Sequence, residues 1–388
     1  MKIAIVSDTH FGYKRFEQDA FDQGRRAFLM AAEQADVILS PGDIFDSRTP
    51  ELETIVKVVG IFKEIAQQKK KVFVIPGTHE RRSKDLPNPI DVLERAGLVI
   101  NVHNKTEQFE HNGEIITISG LGGVPEELAA ESIKHLKLTT KKGALNIFMF
   151  HQTLRELTPA AGESVMSMDD LPPGFDLYIC GHYHKRIISL DKEKKFIIPG
   201  STVLTQLKED EIEEKGFLII DSKSFSVNFV PIGSRKFFYI KLKFNGATAD
   251  EIRSNIKNAI SQNEAEKRAF RIVLEGTLKH GEDISLLEKE IISTHETFVQ
   301  IDNKLLTNSA LQKIEQIKDF RNEGGSNIMY SILRETIKKS NLEKNFDWGH
   351  AFEVFAEGSQ SDIDKLINEL KEKNNPKANV LKQSTKTN

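Results

Sequence analysis

Cysteine is almost missing. A single Cys180 in 388 residues leaves no disulfide within the chain, so the fold has to rest on its hydrophobic core. That residue is expected to be a small buried apolar one, as suits a reducing compartment. Long hydrophobic runs are missing too: stretches such as 145–150 fall far short of the ~20 apolar residues a membrane-spanning helix needs. Because the N-terminus runs straight into a strand-like segment instead of a signal peptide, the chain is expected to be cytoplasmic. A formal charge of only −3 gives no overall pull toward nucleic acid or anionic membrane, so any DNA affinity must come from local patches. No internal repeat of diagnostic length occurs. The Gly120-Leu121-Gly122-Gly123 run does not have the spacing of a phosphate-binding loop and reads as a turn.

With 39% hydrophobic and 29% charged residues, the composition is that of a globular protein. The length exceeds the ~250–300 residues at which one core stops growing, which predicts a large domain followed by a smaller one. Over residues 1–233 short apolar runs alternate with helix-period segments, an α/β pattern. Strands are predicted at 2–7, 37–40, 72–76, 115–121, 146–150 and 177–180, then at 196–198, 217–220 and 227–232. The pattern resets near Gly233 and Ser234. Residues 234–305 then read as an α+β module, with strands at 237–244, 270–276 and 297–301 and helices at 248–261 and 284–292. A helical region is expected over 306–373, with amphipathic stretches at 328–338 and 361–371, and a disordered polar tail over 374–388.

The histidines and aspartates carry the functional signal, because they fall just past predicted strand ends. Asp8-Thr9-His10 follows the first strand, Gly42-Asp43-Ile44-Phe45-Asp46 the second, and Gly77-Thr78-His79-Glu80 the third. His151 and Gly181-His182-Tyr183-His184 follow two more. In open α/β sheets the ligand crevice lies at that end of the strands, so five loops converge on one place. Residues two apart on extended chain share a side, which lets Asp8 with His10, and His182 with His184, present paired ligands. Mixed carboxylate and imidazole donors suit Mn²⁺, Fe²⁺ or Zn²⁺, and their number points to two metals working on a phosphoester. His103, His111, His135, His280, His295 and His350 lack this context and are assigned to ordinary structural roles.

The motifs DTH, GDIFD, GTHE, the lone His151 and GHYH resemble the calcineurin-like metallophosphoesterases. Within that superfamily the chain is similar to the SbcD-type DNA double-strand-break repair nucleases, through DTHFGY at 8–13, GDIFDSRTP at 42–50 and a second module where that family carries a DNA-capping domain. The resemblance implies a four-layer α/β/β/α sandwich with an α+β cap and C-terminal helices. It also implies exonuclease and endonuclease activity with two divalent ions, Mn²⁺ foremost, in a homodimer that works with an SMC-like ABC ATPase of the SbcC type. Matched by motif, Asp8, His10, Asp43 and His184 hold the first metal; Asp43, His151, His182 and residue 78 hold the second. His79 is implied to act at the scissile phosphate, with Glu80 orienting it. The family usually has Asn and Asp where this chain has Thr78 and Glu80, so the resemblance leaves the second site less defined.

Tyr13, Lys14, Arg15, Arg48, Arg81, Arg82, Lys185 and Arg186 lie in or beside these loops and are the expected DNA contacts, together with Lys84 and Arg155. Tyr13 and Phe11 are candidates for stacking on a base. Two other readings share the same motifs: a phosphodiesterase or phosphatase for a small molecule or phosphoprotein, and a DNA-end-binding scaffold with weakened catalysis.

Overall fold

The computed structural model describes residues 1–81, 87–158, 165–190, 194–279, 281, 282, 284, 294, 296–306 and 365. The chain begins β1 (Lys2–Ile5), α1 (Glu17–Gln34), β2 (Val37–Ser40), α2 (Leu52–Gln67), β3 (Lys71–Val74), α3 (Pro89–Arg95) and β4 (Ile100–Asn101). It continues β5 (Thr106–His111), β6 (Glu114–Leu121), α4 (Glu126–Lys134), β7 (Leu145–Phe150), β8 (Leu177–Cys180), β9 (Ile187–Ser189) and β10 (Phe196–Ile198). After β11 (Gly216–Asp221) and β12 (Val227–Pro231) come β13 (Lys236–Ala247), α5 (Ala249–Ser261), β14 (Arg268–Leu278) and β15 (Thr297–Leu306).

Strand alternation sorts these elements into layers. Ala4 and Val6 face one way, toward Ala27, Phe28 and Ala31 of α1 and Phe62 and Ile65 of α2. Their neighbours Ile3 and Ile5 face the other way and share a core with Phe73, Ile118, Met149, Ile179 and Ile197. That second core lies between two six-stranded sheets, ordered β12-β11-β1-β2-β3-β4 and β5-β6-β7-β8-β10-β9. On the far face of the second sheet, Phe148, Phe150, Tyr178 and Cys180 pack against Ala129 and Ile133 of α4. The result is helix, sheet, sheet, helix: the expected four-layer sandwich. Each fully buried Phe or Ile in these cores contributes ~1.5–3 kcal/mol relative to exposure. β1 to β4 run parallel, as do β6, β7, β8 and β10, so the loops leaving their carboxyl ends gather at one edge.

β4, β5 and β9 were not among the predicted strands. β5 has the sequence TEQFEH, with one apolar side chain, and pairs antiparallel with β6 as an edge strand. Asn112-Gly113 joins them, both at positive φ (51° and 76°), which is the two-residue turn that favours a hairpin. α5 starts where the sequence places it, because Thr248 caps it: its side chain accepts from Glu251 N–H while the Glu251 carboxylate accepts from Thr248 N–H. The predicted helix at 284–292 and the expected helical and tail regions at 306–373 and 374–388 lie outside the described residues, apart from Ile284, Leu306 and Lys365.

Two compact units are present. One comprises Met1–Phe244, Thr248–Glu275 and Asp283–Lys304. The other, Asn245–Ala247, Gly276–Glu282 and Leu305–Asn388, is described mainly at the ends of β13 and β14, where Gly246 N–H donates to Thr277 Oγ1 at 2.8 Å. The parts of the three-stranded sheet β13-β14-β15 that belong to the first unit are tied to α1. Phe237 and Ala269 pack with Phe16, Ala20, Leu204 and Leu207. Beside them Asp19 and Arg235, both nearly fully buried, form an ion pair; Arg235 also donates to the carbonyls of Arg268 (3.1 Å) and Glu296 (2.9 Å). Removing Asp19 takes from the buried Arg235 its carboxylate partner. Asp19→Ala is therefore expected to lower stability by about 3–5 kcal/mol, read as a urea-midpoint shift. Asp19→Ala combined with Arg235→Met should recover part of that loss; a double variant no more stable than the single would contradict this account.

Candidate metal centre

The loops that follow β1 and β2 are stitched together by main-chain hydrogen bonds. Asp8 N–H donates to the Gly42 carbonyl (3.2 Å), His10 N–H to the Asp43 carbonyl (3.1 Å) and Phe11 N–H to the Ile44 carbonyl (2.8 Å). This pairing holds the chain where it would not otherwise settle: φ is +51° at Asp8, +45° at His10, +50° at Asp43 and +78° at His182. Left-handed backbone is uncommon for residues other than glycine, and here it turns side chains inward. Gly77 serves the same closeness, since a Cβ there would lie 2.1 Å from Asp43 Oδ1.

Three sets of side chains result, in each of which one ligand atom per residue lies within 4.8 Å of the others: Asp8, His10 and His184; Asp43, His151 and His182; and His10, Asp46 and His79. In the first, His10 Nε2 and His184 Nε2 stand 3.2 Å apart, with Asp8 Oδ1 at 4.0 and 3.9 Å from them. His10 Nδ1 donates to the Asp46 carboxylate (3.0 Å), and His184 Nδ1 meets Thr205 Oγ1. With both Nδ1 atoms protonated, both Nε2 lone pairs point at one another, an arrangement that suits a shared electrophile. In the second set, His151 Nδ1 donates to the Pro41 carbonyl (2.7 Å), while Nε2 faces Asp43 Oδ2 at 3.1 Å. That nitrogen is buried with no aligned hydrogen-bond partner among the described residues. The donor sets fit two divalent cations.

Burial opposes charge on His151, but the facing Asp43 carboxylate outweighs it and raises the ring to about 9, so a bound cation would take the place of that proton. Burial, with the Asp43 charge adding to it, raises Asp8 to about 6 even though His151 and His10 pull it down. Burial opposes charge on Asp43 as well, but the facing His151 outweighs it and holds Asp43 below the usual carboxylate range. His182, buried and repelled by His151, drops to about 3 and is neutral, the form that ligates. Carboxylates crowded into a site this dry attract positive charge.

Other predicted residues fall as follows. The Thr78 hydroxyl donates to Asp43 Oδ2 at 3.3 Å. His79 is exposed, and its Nδ1 donates to the Asp46 carbonyl at 2.9 Å, with the Asp46 carboxylate 3.6 Å away. Glu80 does not orient His79, contrary to what the resemblance implied. Its fully buried carboxylate accepts from Phe45 N–H (2.7 Å) and Gly77 N–H (2.8 Å), which joins the two motif loops; burial, then the Asp43 charge, pushes it up to about 8. Asp46, to which the GDIFD motif assigns no role in the sequence, is the residue that touches His79 and His10. Thr205, Glu211 and Lys215, which surround His184, belong to no recognisable motif.

Among the expected DNA contacts, Arg15, Arg48, Arg155 and Lys185 are exposed, Arg81 is half-buried, and Arg82 and Lys84 lie outside the described residues. Lys14 is paired with Glu51 (2.6 Å), and Arg186 lies over the Phe229 ring and pairs with Glu213 (3.3 Å). Tyr13 gives its hydroxyl to the Thr205 carbonyl (2.5 Å). Phe11 is fully buried in the core and is not available to stack on a base. Cys180 is buried as expected, and burial pushes its thiol up.

The calcineurin-like phosphoesterase family model matches residues 1–186. A protein of Sulfurisphaera tokodaii named "DNA double-strand break repair protein Mre11" is 31% identical, over 71% of this chain and 73% of its own. Proteins of the same name from Saccharolobus solfataricus and Methanocaldococcus jannaschii are each 25% identical, the first over 96% of this chain and 98% of its own, the second over 89% and 98%. Among the described residues no helix is long and apolar enough to cross a membrane.

Proposed function

Because this chain belongs to the Mre11 family of calcineurin-like phosphoesterases and is a metal-dependent phosphodiesterase, we propose that its substrate is DNA and that it cleaves DNA ends, by exonuclease and endonuclease action, in double-strand-break repair. The observation that carries this reading is the pair of adjacent buried donor sets whose ring nitrogens face each other and the Asp43 carboxylate. Asp8, His10 and His184 are the proposed holders of one ion, His151 and His182 of the other, with Asp43 bridging. Two divalent ions supply an activated water and balance charge on the phosphate. The chain itself orients His79: its Nδ1–H is spent on the Asp46 carbonyl, so Nε2 is left to meet the phosphate or its leaving oxygen. Mn²⁺ is the proposed ion, the 234–305 module the proposed DNA cap, and an SMC-like ABC ATPase the proposed partner of a homodimer.

The test is cleavage of a labelled duplex, a DNA hairpin and bis-p-nitrophenyl phosphate with Mn²⁺. Cutting of DNA supports the proposal. Cutting of the small ester alone favours a small-molecule phosphodiesterase, and tight DNA binding with no cutting favours a scaffold. Thr78→Asn should place an amide oxygen within reach of the second ion and tighten its affinity about tenfold, the low end of what residues around a metal contribute. A Mn²⁺ titration indistinguishable from the parent protein would rule that out.

A further inference from the structure

His184 is held from behind by a chain of polar groups that no motif announces. Its Nδ1 meets Thr205 Oγ1, which lies 3.3 Å from Glu211 Oε1; that carboxylate oxygen is itself 3.6 Å from His184 Nδ1. Glu211 is 2% exposed and is fully engaged. It accepts from the N–H groups of Thr205 (3.1 Å), Gln206 (2.7 Å) and Leu207 (2.8 Å) and from Lys215 Nζ (3.3 Å). Lys215, also buried, donates from the same Nζ to the His184 carbonyl (3.1 Å) and to Ser201 Oγ (3.0 Å). The buried pair thus grips His184 at both its ring and its main chain.

The geometry favours one direction for the chain, because the Thr205 hydroxyl is aligned to donate to Glu211 Oε1 and His184 Nδ1 also faces that oxygen at 3.6 Å. An ionised carboxylate only accepts, so the Thr205 hydroxyl gives its proton to Glu211 and offers a lone pair to His184. In that direction His184 carries its proton on Nδ1, which leaves the Nε2 lone pair facing His10 and Asp8. A buried ion pair is a poor way to gain stability, since hydrophobic packing of the same volume does as well or better. Orienting a ligand is something that packing cannot do.

We propose that Glu211 is a positioning residue that, through the Thr205 hydroxyl, sets the tautomer and orientation of His184 for the first metal ion. The proposal rests on the reading of Asp8, His10 and His184 as ion ligands. Thr205→Val removes the hydroxyl at nearly constant volume, and Thr205→Ser keeps it. In metal-free protein, ¹⁵N NMR of the imidazoles should find His184 in the Nδ1–H form in the parent and in Thr205→Ser, and displaced toward the Nε2–H form in Thr205→Val. Mn²⁺ titration should then show one of two ions bound roughly 10–100-fold more weakly in Thr205→Val and at parental affinity in Thr205→Ser. Glu211→Gln, if it folds, should follow Thr205→Val. A folded Thr205→Val protein with the parental tautomer and parental affinity at both sites would overturn the proposal and leave Glu211 as a staple of the 205–207 turn. Failure of the parent protein to bind two ions would instead count against the reading of the site, and the metal-free tautomer measurement would still decide the role of Glu211.

Discussion

Asp43→Ala is expected to slow phosphodiester cleavage by roughly 10³-fold or more, several kcal/mol of transition-state stabilisation. Its carboxylate serves several tasks in the site at once. Oδ2 faces His151 Nε2 and accepts from the Thr78 hydroxyl, while Oδ1 accepts the His79 N–H at 2.9 Å. Truncation removes the charge of a proposed ligand and also releases the loop that carries His79. Asp43→Asn separates these effects, because an amide oxygen still accepts a hydrogen bond but brings no charge. Cleavage of bis-p-nitrophenyl phosphate, measured beside metal stoichiometry, should show Asp43→Asn short of ions with its loop in place. Asp43→Ala retaining activity within tenfold of the parent would refute the bridging assignment.

His79→Ala is expected to lower the rate by about 10²–10⁴-fold, the range for loss of a positioned proton-transfer group, while both ions still bind. The ring is exposed, and it stands edge-on to His10 with centroids 5.0 Å apart. Its nearness to His10 and Asp46 also makes it a candidate ligand by distance alone. Metal counting decides between the two roles. Loss of an ion in His79→Ala would make it a ligand, whereas full occupancy with a slow rate would make it the group that meets the phosphate. Asp46→Ala should fall between, since the carbonyl that takes the His79 proton belongs to the main chain and survives the change.

The strand-end residues were legible because each follows a short apolar run closely: Asp8, Asp43, His151 and His182 all sit within three residues of a strand terminus. What lies behind them was not. Thr205 is 21 residues from His184 in sequence, and Pro41 is 110 from His151, so the partners that fix the rings exist only once separate loops have met. Glu80 shows the opposite failure. The family resemblance implied that it orients His79, yet its carboxylate turns inward to main-chain N–H groups that no sequence pattern displays. β5 could have been found, because Asn112-Gly113 marks its hairpin even though TEQFEH has no alternation of its own. The sandwich was easier to read because its central strands are apolar on both faces, as strands covered on both sides must be.

The left-handed backbone at Asp8, His10, Asp43 and His182 bears on how this protein can be improved. Conformations of that kind cost of order 1–3 kcal/mol each, and glycine adopts them without the penalty. Any selection for heat resistance alone would therefore be drawn to these four positions, where replacement by glycine relaxes the chain and deletes the chemistry together. Thermostable variants of this protein should be sought in the α1 contacts and the β13-β14-β15 sheet, and screened for cutting from the first round.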